Sequence, residues 1–145
     1  MTPKLLLRIA AVLIFVHATL HTIGFTTWKT APDPVEQEVV HQMTGHQFPF
    51  MGAIHSLGDY YDGFGYASSI ALLLIAVLLW MASGEVLVNN SLAKKMVLVL
   101  SYALLLWGID EVIYFFPFAA GITFAACICS RWSVYLMGKQ NADVV

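Results

Sequence analysis

Charge is scarce in this sequence. Only 11% of the 145 residues are Asp, Glu, Lys or Arg, against 59% hydrophobic. Ordinary soluble domains are about 25% charged and about 45–50% apolar, and the mean hydropathy here is +0.76. That gap excludes an ordinary soluble domain and implies a fold that is hydrophobic outside as well as inside. Basic runs are absent and the formal net charge is only -2, which excludes a nucleic-acid partner. The two cysteines, Cys127 and Cys129, sit in an apolar stretch and point to different faces of a helix. A disulfide framework is thereby excluded, and both read as small buried apolar residues. No internal repeat or low-complexity tract is present. The Gly-rich "DGFG" (Asp62–Gly65) has no Lys or Ser/Thr pattern after it, so it is not a phosphate loop.

What the chain has instead is long apolar runs. A helix needs about 20 mostly apolar residues to cross the hydrocarbon core. Four stretches qualify, at about 5–25, 64–83, 95–116 and 118–137. The second has no charge at all. Trp28, Trp80, Tyr114 and Trp132 lie near span ends, where interfacial aromatics belong. Lys4 and Arg8 before the first run resemble a signal peptide. The run is long and lacks a clear small-x-small cleavage site, so a retained span is expected. The chain is thus expected to be an all-α, integral membrane four-helix bundle, one membrane domain over residues 1–145.

Lys and Arg set the orientation. With the N-terminus inside, the inner face holds Lys4, Arg8, Lys94, Lys95, Arg131 and Lys139, with Arg131 snorkelling to reach it. The outer face holds only Lys29. The expected topology is N-in, C-in, with the connection 26–63 outside, in a bacterium the periplasm. Within that connection, Asp33 is placed as N-cap, Pro34 at the first helical position and Glu36 three residues after the cap. Val35, Val39 and Met43 share a face, and Gly45 can end the helix. A short amphipathic helix over about 34–44, lying on the membrane surface, is expected. "QFPFMG" (Gln47–Gly52) then leads the chain back in.

Three polar stripes carry the chemistry. His17 and His21 are four apart, on one helix face with Ala10, Ile14 and Gly24. They lie roughly 12 Å and 6 Å below the outer end of their span. His55, Asp59, Asp62, Tyr66 and Ser69 follow helical spacing before and into the second span. Gly58, Gly63 and Gly65 weaken the helix or let another backbone approach closely, and a loosely wound start is expected there. In "WGIDEVIY" (Trp107–Tyr114), Asp110 and Glu111 are adjacent carboxylates in an apolar helix, with Asp110 about 9 Å deep. With the assigned topology all three stripes meet in the outer half of the bundle. Buried ionisable side chains in a span mark function by default.

His17 and His21, with His55, are the candidate metal ligands, because i,i+4 histidines are a standard metal-binding geometry. Zinc or iron suits such N/O ligands. Asp110 and Glu111 would share a proton as a buried pair, which suits a general acid and base. Asp59 is the third catalytic candidate and is preferred to Asp62, which a Gly-rich surface turn would hold. His41 and His46 read as ordinary surface histidines, and Tyr60 and Tyr61 as interfacial belt. The expected function is a metal- or proton-using enzyme acting on a lipid-soluble substrate, such as an isoprenoid or sterol-like double bond. The alternatives are a haem b carrier using His17 or His21 opposite His55, or a non-catalytic small subunit of a homo-oligomer or larger membrane complex. Conduction ranks lower, because the inner half of the spans is free of charge except near their ends.

The runs "LLRIAAVLIFVHATLHTIGFTTWK" and "MTGHQFPFMGAIHSLGDYYDGFG" resemble a group of small bacterial four-span membrane proteins with a His-rich first span. The resemblance covers about the first half of the chain. It implies the bacterial inner membrane and carries no reaction with it. A looser architectural likeness is to sterol isomerases of the emopamil-binding type, which also place His and carboxylates inside a small membrane bundle.

Overall fold

The computed structural model describes residues 1–88 and 90–142, with only the backbone for 140–142. The elements in chain order are α1 (Pro3–Thr26), α2 (Pro34–Gly45), β1 (Gln47–Phe50), β2 (Ala53–Ser56), α3 (Leu57–Glu85), α4 (Asn90–Tyr114) and α5 (Pro117–Ala142). Four of these helices, α1, α3, α4 and α5, are long and apolar enough to cross a membrane. The chain is a polytopic, all-helical membrane protein with one small hairpin.

Two compact units divide it, Met1–His17 with Leu72–Val145, and Ala18–Ala71. The first is a bundle of segments from α1, α3, α4 and α5, and its core follows from residue spacing. On α4 the buried positions are Ala93, Val97, Ser101, Leu104, Gly108 and Glu111, in steps of four or three. That is the seam a helix presents to its neighbours. On α5 the same rule buries Ala119, Ala120, Thr123, Ala126, Cys127, Ser130, Ser133 and Met137, and on α1 Leu7, Ala10, Ile14 and His17. Most of these side chains are small. Between apolar helices in lipid, close backbone approach and dispersion hold the bundle together. Gly108 is such a position, since a Cβ there would fall 2.7 Å from the ring of Phe124. Buried hydroxyls are satisfied locally: Ser101 donates to the Leu98 carbonyl at 2.8 Å and Ser130 to that of Ala126 at 2.8 Å. Ser133 donates to the Pro3 carbonyl at 3.1 Å, tying α5 to the start of α1.

The second unit holds the end of α1, the connection and the start of α3. Asp33 caps α2 as the sequence requires, its carboxylate accepting from the amides of Val35 at 2.7 Å and Glu36 at 3.3 Å. Gln47–Gly52, which the sequence reading passes over as a simple return, is instead most of a β-hairpin. Its pairs run from Gln47↔Ser56 to Phe50↔Ala53. Met51 and Gly52 at the tip have φ of 48° and 90°, the two left-handed residues that a twisted two-residue hairpin turn demands. Glycine takes that conformation freely, and Met51 accepts it at a cost.

The start of α3 also departs from expectation. It is regular helix from Leu57, not loosely wound, because Ser56 and Asp59 cap it reciprocally. The Asp59 carboxylate accepts from the Ser56 amide at 2.8 Å, and the Ser56 hydroxyl accepts from the Asp59 amide at 3.1 Å. "SLGD" is therefore a capping box with Asp in place of the usual Glu. Ser56→Ala is expected to cost about 1 kcal/mol of local stability. Faster amide exchange confined to the first turn of α3 would register it, and unchanged exchange there would contradict the capping role.

Candidate functional site

His17 is the centre of a deeply buried polar cluster on the Met1–His17 and Leu72–Val145 side. It is 5% exposed and Glu111 3%. The His17 Nε2 lies 3.1 Å from Glu111 Oε1, and Nδ1 lies 3.1 Å from the Thr123 hydroxyl. Three helices supply the three groups, each from its buried seam: α1, α4 and α5. Trp107 and Thr123 flank the carboxylate. Glu111 Oε2 nevertheless has no hydrogen-bond partner although it is buried.

The seam that buries Glu111 turns Asp110 away. Asp110 is exposed, so the two adjacent carboxylates do not form the buried pair expected of them. A one-residue step on a helix rotates a side chain by about 100°, and only one of two neighbours can lie on a narrow seam. Thr123 is the member that the sequence reading missed, taking it as a mild wall. Its signal was its place on the α5 seam, three residues from Ala126 and four from Ala119.

The other candidates lie in Ala18–Ala71 with partners of their own. His21 is half-buried. Its Nε2 donates to the Gly65 carbonyl at 3.3 Å, and its ring packs on Phe25 at 5.6 Å. The missing side chain of Gly65 makes room for Phe25, whose ring a Cβ there would overlap. His55 is not on α3, so the expected polar stripe begins only at Asp59. It sits in β2, exposed, with Nδ1 3.8 Å from Asp59 Oδ2 and its ring edge-on to Tyr60 at 5.8 Å. Asp59 is exposed too, and its carboxylate is committed to the capping box.

Asp62, set aside in favour of Asp59, is the better-connected carboxylate. It lies within α3, not in a turn, accepting from the Trp28 indole at 2.8 Å and the Lys29 ammonium at 2.6 Å. Trp28 in turn packs on Tyr61. Asp62 as a close acceptor lifts the Lys29 ammonium above its ordinary value of 10.5. A raised folded value means that Lys29 stabilises fully below the unfolded lysine pKa, and that this is lost as pH rises through the folded one. Melts of wild type and Lys29→Gln are therefore expected to differ by a constant amount between about pH 6 and 9 and to converge only in strong alkali. A gap that closes near neutral pH would refute the pairing.

Among the described residues no three His, Cys, Asp or Glu side chains gather closely enough to hold a metal ion. Both ring nitrogens of His17 are engaged by Glu111 and Thr123. No family model, curated protein or solved structure matches the chain.

Proposed function

We propose that this membrane protein is a proton-using enzyme acting on a lipid-soluble substrate, with Glu111, His17 and Thr123 as its acid–base centre. The observation that carries this reading is Glu111 Oε2, buried beside an engaged imidazole and accepting no hydrogen bond of its own. A buried carboxylate with an unpaired oxygen is costly, and the neutral carboxyl form avoids the cost of burying the charge.

The wiring determines what the cluster can do. One tautomer has neutral His17 facing a protonated Glu111, and the other has imidazolium facing carboxylate. Both have the same proton count and no net charge. Nδ1 carries hydrogen in both forms, so the Thr123 hydroxyl accepts from it throughout and holds the ring in place. A proton can thus be held, and moved between imidazole and carboxyl, without creating a lone charge in a low-dielectric interior. Such a pair suits the shift of a carbon–carbon double bond. Glu111 gives a proton to one alkene carbon, and the pair takes one from the carbon next to the resulting cation. Proton and charge balance close over the cycle, so no oxidant or metal is required. The orientation assigned from Lys and Arg, with the bacterial inner membrane as location, belongs to the same reading.

The test is incubation in heavy water of membranes carrying the protein, followed by mass spectrometry of the extracted lipids. Deuterium is expected on carbon in one lipid class, lost in Glu111→Gln and His17→Gln. In parallel, infrared difference spectra between two pH values should contain a carboxylic acid C=O band missing from Glu111→Gln. Unchanged labelling and unchanged spectra in both variants, with altered melting alone, would make the cluster a helix tie and overturn the reading. Stoichiometric zinc or iron, lost on His17→Gln, would overturn it in favour of a metal centre.

A further inference from the structure

Arg8 has a guanidinium, an aromatic ring beneath it and no anion among the described residues. It is exposed, and its guanidinium lies 5.1 Å from the centroid of the Trp80 ring. Among the described residues no carboxylate pairs with it; the ion pairs there involve His17, Lys29 and His55. The same Trp80 closes one end of an apolar groove of about 280 Å³, lined further by Ala11, Val12, Phe15, Ala76 and Val77. The groove and the cation belong to one compact unit and adjoin each other.

The geometry is that of an amphiphile's complement. Arg8 is five residues into α1, about 7 Å from its start, within reach of the headgroup level for a long basic side chain. From there the lining residues run along the helix to Phe15, about 10 Å deeper. A ligand filling both features has an anion at its head and a hydrocarbon chain parallel to the helices. A lipid-facing arginine without a partner is costly, and a phosphate supplies that partner at the right depth. A guanidinium held over Trp80 keeps N–H donors for oxygen atoms, in the fork geometry that suits phosphate.

We infer that the α1–α3 groove with Arg8 is a specific site for one anionic phospholipid, its phosphate on the guanidinium and an acyl chain along Val12, Phe15, Val77 and Trp80. The site is separate from the His17 cluster and stands whether or not that cluster is catalytic.

Native mass spectrometry of the protein, exchanged into mixed micelles of phosphatidylglycerol and phosphatidylcholine, tests it. Wild type is expected to retain one phosphatidylglycerol in preference to phosphatidylcholine. Arg8→Gln should weaken retention about fivefold, the effect of one basic side chain at a lipid surface. Val77→Trp, at an exposed position that fills the groove without touching the core, should weaken it as well. Arg131→Gln is the control, because Arg131 is also exposed and also lies over a ring, 5.0 Å from the Tyr102 centroid. It should retain the lipid as wild type does. Equal retention of the two lipids, indifference to Arg8→Gln, or equal loss in Arg131→Gln would overturn the site. A lipid-free dimer that Val77→Trp dissociates would assign the groove to a second copy of the chain instead.

Discussion

Replacing His17 by leucine is expected to lower the unfolding free energy by about 2–4 kcal/mol, far more than Glu111→Gln at about 1 kcal/mol or less. The asymmetry follows from what each change leaves behind. Leucine fills the space but strands Glu111, whose Oε1 loses its partner while Oε2 already lacks one, and leaves the Thr123 hydroxyl without Nδ1. Glutamine keeps a carbonyl oxygen facing the imidazole. The double variant His17→Leu/Glu111→Leu should recover much of the loss, because replacing both members of a buried polar pair by apolar groups is often neutral. Denaturation of detergent-solubilised wild type, His17→Leu, Glu111→Leu and the double variant, read by far-ultraviolet dichroism, measures the four corners of the cycle. A double variant no more stable than His17→Leu would mean that the leucine strands nothing.

The second large effect is expected at Gly108. Valine there must displace the Phe124 ring, since the first added carbon already falls 2.7 Å from it. Overpacking of a tight core costs about 1–3 kcal/mol, and the upper end is expected because the Phe124 ring fills the space that a side chain at 108 would take. Phe124→Ala should be mildly destabilising alone and should rescue Gly108→Val, since the ring is the obstacle. Melting temperatures of the two single variants and the double variant decide it. Simple additivity would show that the strain lies in the α4 backbone and not in the ring.

The four long helices were legible because length and apolar content alone decide them. The capped α2 was legible because Asp33, Pro34 and Glu36 are local signals. The hairpin was hidden: each strand has only four residues, Pro49 sits inside the first, and its turn uses Met51 where Asn or Gly is the usual marker. Glu111 and His17 were legible as ionisable residues inside spans. The choice between Asp110 and Glu111 was also written in the chain, in the four-and-three spacing of Ala93, Val97, Ser101, Leu104 and Gly108, a seam that continues to 111 and skips 110. His55 and Asp59 misled because their spacing of four mimics a helix face. Ser56 starts the helix between them, and a periodicity means nothing across a cap.

Only Phe115 and Phe116 separate α4 from α5, with the Phe115 amide still bonded to the Glu111 carbonyl at 3.0 Å. During synthesis the chain emerges N-terminus first. His17 therefore meets the bilayer before either of its partners exists, and it does so as an imidazole, a group that has an uncharged form. The carboxyl of Glu111, the harder group to desolvate, comes later, on a hairpin so tight that Thr123 follows it within one reversal of the chain. The order of the helices along the gene thus lets the tolerant group wait and the intolerant one arrive to an occupied berth.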